Sequence, residues 1–169
     1  GLSSGSNKIT ISNCTSSGVY IGYCSPTLNK LSISSVTSGY GGICVVGNTS
    51  APVIHDSDVL SSVMGIQVGN YADASAYLCD IRTNTYDCFY LGTAANLLLN
   101  GDGGYGHNTI DPANGQKAIN NNSANGSIPA ENNYWGETPP GSLFGDYSYV
   151  DYDPYLSSAY SGVGSGKKV

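Results

Sequence analysis

Short apolar–polar–apolar triplets recur along the chain at a nearly fixed interval. Ile9-Thr10-Ile11 and Leu31-Ser32-Ile33 begin matching segments 22 residues apart, and Pro52-Val53-Ile54 takes the same place in a third. Each segment then offers one small or apolar residue: Cys14, Val36, Ser57, Cys79 and Gly101. A second apolar run closes on glycine, in Tyr20-Ile21-Gly22, Val45-Val46-Gly47, Gln67-Val68-Gly69 and Tyr90-Leu91-Gly92. Those glycines lie 25, 22 and 23 residues apart. Turn-forming clusters separate the runs, such as Thr15-Ser16-Ser17-Gly18 and Asn70-Tyr71-Ala72-Asp73.

Alternation over three or four residues is the signature of a strand with one buried face. A strand pair repeated every 21 to 25 residues cannot bury its apolar side alone, so neighbouring units must stack and share a core. The pattern therefore predicts an all-β fold, a parallel β-helix (β-solenoid) of about five or six turns. Each apolar position becomes a ladder, expected to run Ile11, Ile33, Ile54, Ala76. Ile11, Ile33, Val68, Leu91 and Ile119 are expected to be buried. A flat antiparallel sandwich would be all-β too, but it gives no reason for the units to repeat in sequence. The fifth unit is looser. It starts at Leu97-Leu98-Leu99, passes a glycine-rich stretch from Gly101 to Gly106, and offers Ile110, Ala118, Ile119, Ile128 and Ala130 as inward positions.

Composition sharpens this picture. The 169 residues include 23 Gly, 24 Ser and 16 Asn, with only 11% charged residues. So few Glu, Lys and Arg leave little material for a helical bundle. The net charge of −6 argues against a nucleic-acid or anionic-membrane partner, which would need basic patches. No run of 18 apolar residues is present, so no membrane-spanning helix is expected. The chain has no initiator Met or signal peptide and reads as a mature product or a piece of a longer protein. Five cysteines, Cys14, Cys24, Cys44, Cys79 and Cys88, are an odd number without CxxC spacing. They are expected to be small buried hydrophobes rather than a zinc site or a disulfide framework.

The C-terminal region carries a more specific signal, in Ile128-Pro129-Ala130-Glu131-Asn132-Asn133-Tyr134-Trp135-Gly136 and in Val150-Asp151-Tyr152-Asp153-Pro154-Tyr155-Leu156. With the upstream units, these segments resemble the C-terminal end of right-handed parallel β-helix repeat proteins. Many of these are secreted or surface proteins with an Ala-x-x-Asn-x-Trp-Gly-like capping rung. The resemblance covers about residues 8–156. It implies helix rungs over residues 1–136 and a C-terminal aromatic cap segment over 137–160, followed by a linker-like tail over 161–169. Trp135, Tyr134, Tyr147, Tyr149, Tyr152 and Tyr155 would then cover the last apolar rung.

Asp58, Asp80 and Asp102 are the leading chemical candidates, spaced by 22 residues. They follow residues placed inward, so they should face outward on successive turns, roughly 5 Å apart. Like charges so close need a bridging cation or raised pKa values. Calcium is the candidate cofactor, because it takes several oxygen ligands. The resemblance adds that related polysaccharide lyases use Asp-bound calcium, and related glycoside hydrolases use clustered Asp. The alternative is a solvated turn face, where Asp recurs because it suits turns. His55 beside Asp56 is expected to be a solvated outward side chain. Lys30 and Arg82 complete no recognisable lyase set, and Gly106-His107-Asn108 is only a weak echo of a hydrolase motif, so no catalytic residue is assigned. Tyr20, Tyr23, Tyr40, Tyr71, Tyr77, Tyr86 and Tyr90 either stack on sugars or pack on turns. Four Asn-x-Ser/Thr sequons, at Asn13, Asn48, Asn121 and Asn125, match chance for this composition.

Taken together, the sequence reads as a non-catalytic structural module outside the cell: a stalk, adhesin or filament subunit. Self-assembly is expected to run from the bare first rung to the C-terminal tail. The alternative is a polysaccharide-active or glycan-binding β-helix with an Asp-lined face.

Overall fold

A computed structural model describes residues 8–100, 106–113, 115–122, 127–136, 140–145 and 150–160. The chain winds as a parallel β-solenoid of five turns, with three strands per turn. The first turn holds β1 (Ile9–Ser12), β2 (Val19–Gly22) and β3 (Thr27–Asn29). The second holds β4 (Leu31–Ser34), β5 (Ile43–Val46) and β6 (Val53–His55), and the third β7 (Asp58–Leu60), β8 (Ile66–Gly69) and β9 (Asp73–Tyr77). The fourth holds β10 (Asp80–Arg82), β11 (Phe89–Leu91) and β12 (Asn96–Leu98), and the fifth β13 (Thr109–Asp111), β14 (Ile119–Asn121) and β15 (Ile128–Pro129). A 3-10 turn (Pro140–Leu143) and β16 (Val150–Asp151) follow.

Every strand pairs with its counterpart one turn away. The first sheet runs β1-β4-β7-β10-β13, the second β2-β5-β8-β11-β14 and the third β3-β6-β9-β12, while β15 pairs with β16. The core is a set of ladders. On the first sheet Ile11, Ile33, Val59, Ile81 and Ile110 are stacked in register. On the second, Val19, Ile43, Ile66, Phe89 and Ile119 form one ladder, and Ile21, Val45, Val68 and Leu91 another. From the second turn onward these side chains are fully buried. Ile33, Val68, Leu91 and Ile119 are buried as expected, but Ile11 is only half-buried, because no strand among the described residues covers the first turn.

The ladder expected from Ile33 to Ile54 is wrong. Val59 is the neighbour of Ile33, whereas Ile54 lies on the third sheet between Leu28 and Ala76. Each turn has a third strand that the two-run repeat did not separate. Pro52-Val53-Ile54 mimics Leu31-Ser32-Ile33 in polarity but belongs to another face. The set Cys14, Val36, Ser57, Cys79 likewise merges two corners. Cys14 and Val36 follow first-sheet strands, while Ser57 and Cys79 precede them, so Cys14 and Cys79 share no column. Gly101 lies outside the described residues.

The corners explain the fold. Single left-handed residues turn the chain from one sheet to the next. Asn13, Ser35, Ser61 and Thr83 do so after the first sheet, at φ of 57°, 56°, 50° and 55°. Lys30, Asp56, Leu78, His107 and Asn132 do so after the third sheet or its continuation. That conformation costs an L-residue roughly 1–2 kcal/mol. It persists because pairing with the turns on either side over-determines it.

Inside the corners, buried side chains replace missing backbone partners. Asn108 Oδ1 accepts from the Cys79 amide at 2.9 Å, and Asn108 Nδ2 donates to the carbonyls of Ala76 and Leu99. One turn on, Asn133 Oδ1 accepts from the Asn108 amide. Ser57 Oγ plays the same part for the Leu31 amide. At the other corner Asn84 Oδ1 takes the Ser62 amide and Ser62 Oγ the Val36 amide. Ser57, Asn84, Asn108 and Asn133 are fully buried, and buried amides left unpaired would cost about 1–3 kcal/mol each.

A partial sixth turn closes the far end. Tyr134 bridges to Thr109 and Phe144 to Ile119, continuing two sheets by one residue each. Trp135 is fully buried and meets the Phe144 ring edge-on at 5.0 Å. Phe144 packs in turn against Tyr152, and Tyr152 against Tyr155. The aromatic seal therefore begins before residue 137 and uses Phe144, which no repeat pattern marked. Tyr147 and Tyr149 lie outside the described residues.

Three substitutions test this account. Asn108→Ala removes partners from one amide and two carbonyls and should cost at least about 3 kcal/mol in urea unfolding. Exposed Asn96→Ala, which loses only a surface bond to Asp73, should stay within about 0.5 kcal/mol. Ile33→Asp should prevent cooperative folding, because it strands a charge in the column.

Candidate functional site

The outward position of the first sheet reads Thr10, Ser32, Asp58, Asp80, Thr109 in register. Asp58 and Asp80 are thus brought together on adjacent strands, as the spacing predicted. The next position in the column is filled by Thr109, because the fourth turn is longer, and Asp102 lies outside the described residues.

Both carboxylates carry their own cation. Lys8, just ahead of β1, reaches past the second turn so that its Nζ meets Asp58 Oδ2 at 2.5 Å. Arg82 Nη2, two residues along β10, meets Asp80 Oδ2 at 2.8 Å. The two other oxygens, Asp58 Oδ1 and Asp80 Oδ1, are buried without a hydrogen-bond partner. Burial pushes the Asp80 carboxyl above its ordinary range, an effect that the Arg82 charge opposes and the Asp58 charge reinforces. No group of three or more metal-ligating side chains is gathered among the described residues. Calcium takes six to eight oxygens, so a cation here would need water or further ligands and would compete with Lys8 and Arg82.

The other titratable candidates serve structure. His55 Nδ1 pairs with Asp56 Oδ2 at 2.8 Å, and its ring stacks on Tyr77 one turn away at 5.1 Å. It faces outward, but half-buried rather than solvated. His107 is a corner residue stacked on Tyr160, and Asn108 belongs to the internal ladder. All five thiols are free. Burial pushes the Cys79 thiol up to about 12 and raises Cys88 further, and both sulfurs donate to backbone carbonyls. Such thiols stay protonated and unreactive.

The outer face of the second sheet has a different chemistry. Its outward column is Tyr20, Cys44, Gln67, Tyr90 and Asn120. Tyr20 is 66% exposed, and Tyr40 stands exposed beside the same trough, while Tyr23 and Tyr71 are exposed around a neighbouring hollow. The Tyr20 ring leans along its strand over Gly22, and the Tyr90 ring over Gly92. Asn122 Nδ2 donates to the Tyr90 hydroxyl and steadies it. Between the two rings lies a trough of about 450 Å³ floored by Cys44, Gln67 and Gly69. The sequence had shown the Tyr-x-Gly runs, but not that two of them lie on one face.

No family model matches the chain, and no curated protein or solved structure shows significant similarity to it.

The Asp80 environment gives a pH test. A carboxyl whose native pKa is raised binds its proton more tightly when folded. Stability should therefore fall as pH rises from the ordinary value of 3.8 through the raised native one, then level off. Asp80→Asn should remove that fall, read by urea unfolding across pH 3 to 8. A melting temperature raised by millimolar calcium in the wild type, but not in Asp80→Asn, is what a metal site requires.

Proposed function

We propose that the chain is a non-catalytic structural module of an extracellular or cell-surface protein, a stalk or filament element that stacks end to end. The observation that carries this reading is the asymmetry of the two ends. At one, Trp135, Phe144 and Tyr152 fill the last turn. At the other, β1, β2 and β3 are the outermost strands of their sheets among the described residues, Ile9 is 64% exposed and Ile11 is half-buried. Backbone edges of this kind pair readily with further strands. A turn with the same three-cornered path would continue all three sheets at once. The tail over 161–169, outside the described residues, is the segment proposed to reach a neighbour's first turn. A head-to-tail contact does not close on itself and so generates a filament. An outside location rests on the resemblance of the C-terminal segment to secreted and surface β-helices. The alternative, a glycan-binding solenoid, draws its support from the second sheet's outer face rather than from the aspartates.

The expected behaviour is association that grows with concentration, seen by sedimentation and as fibres by electron microscopy. Ile9→Asp should leave the melting temperature unchanged, since Ile9 is exposed, and should weaken association roughly tenfold or more. Deleting 161–169 should also suppress fibres. A chain that stays monomeric at millimolar concentration defeats the proposal.

A further inference from the structure

We infer that the outer face of the second sheet is a binding site for a neutral, extended oligosaccharide lying along the solenoid axis. This inference is independent of end-to-end stacking.

The argument starts from register. Tyr20 and Tyr90 occupy the same outward column, on the first and fourth turns. Three strand spacings separate them, roughly 14 Å. Each ring lies over the glycine two residues on, in Tyr20-Ile21-Gly22 and Tyr90-Leu91-Gly92. Both rings therefore lean the same way along their strands. They form two aromatic contacts too far apart for one monosaccharide and spaced for an oligomer. Tyr40 stands exposed on the flank of the same trough.

The floor between the rings has room at Gly69, where an added Cβ would meet nothing within 4 Å. Gln67, at the centre, holds its Oε1 buried with no partner. Leaving that oxygen unpaired costs about 1–3 kcal/mol. The terminal torsion of the amide is soft, so a hydroxyl that draws the oxygen toward the trough gains a bond the free protein lacks. Asn70 supplies another amide at the rim.

A pyranose matches this combination. One face offers C–H groups to an aromatic ring, and the edges offer hydroxyls to amides. The lining contains no Asp, Glu, Lys, Arg or His, so nothing there recognises a charged sugar. That separates the site from an acidic-glycan face built on Asp58 and Asp80. The substrate class is set by these groups: an uncharged chain, extended and unbranched over at least three units.

The test is calorimetric titration of the full chain with hexamers of β-1,4-linked glucose and of β-1,4-linked N-acetylglucosamine. Hexagalacturonate serves as the acidic control. At least one neutral hexamer should bind, and the acidic one should not. Tyr90→Ala and Tyr20→Ala should each weaken binding roughly tenfold. Gly69→Leu should abolish binding by filling the trough, and Gly69→Ala, whose added methyl meets nothing within 4 Å, should leave the melting temperature unchanged. The inference is overturned if neither neutral hexamer binds, as a face made for a protein partner would show. It is also overturned if hexagalacturonate binds equally well, or if Gly69→Leu leaves affinity intact.

Discussion

Hydrogen bonding between a strand and its counterpart one turn away governs this molecule. Once β4 is locked to β1 and β7 to β4, every later residue inherits an address: a sheet, a face and a column. The chain must then change direction between sheets three times per turn, most sharply where Lys30 alone joins the third sheet to the first. Left-handed backbone at Asn13, Ser35, Ser61 and Thr83 is the consequence, not the cause, of that requirement. Buried asparagine and serine at the corners follow from the same rule, because the bend breaks the regular backbone ladder and a side chain must complete it. A protein with little apolar surface can hold a narrow column together because so few polar groups inside it go unpaired.

This dependence explains what could be read in the sequence. Ile9-Thr10-Ile11 over Leu31-Ser32-Ile33 was legible because first-sheet strands keep their length and alternation, and the pairing has that register. The third strand of each turn was not. Thr27-Leu28-Asn29 and Asn96-Leu97-Leu98 each turn only their middle side chain inward, too weak a pattern to separate from a turn. Corner residues such as Lys30 and Leu78 were invisible as well, since neither favours left-handed backbone by itself. They adopt it because their neighbours in other turns hold them there. Phe144 joined the cap without any repeat to announce it, because the partial sixth turn pairs through single bridges.

The candidate chemistry divides in the same way. The 22-residue spacing of Asp58 and Asp80 is a true register pair, so their proximity was readable. Their counter-ions were not. Lys8 reaches Asp58 across a whole turn, and Arg82 reaches Asp80 from the same strand, so neither shows as a motif. The tyrosine face was readable only as composition. Its meaning depends on Tyr20 and Tyr90 sharing a column; the glycine alignment set both Tyr-x-Gly runs at that place, but slipped the second turn between them by one residue. Aligning the run-closing glycines placed Gly47 opposite Gly22, whereas Val46 is the residue paired there.

The unequal ends give the molecule a direction in time as well as in space. A solenoid turn is held mainly by its nearest neighbours, so local opening spreads from whichever end is held least. Among the described residues the first turn has one neighbour, and its Ile11 is only half-buried, while the last is packed by three aromatic rings in contact. Amide protons of β2 and β3 should thus exchange with solvent well before those of β8 and β11. Unwinding would run like a spring uncoiling from its loose end, leaving a shorter but still folded column behind it. A column that opens first at its less covered end can lose a turn without losing its fold.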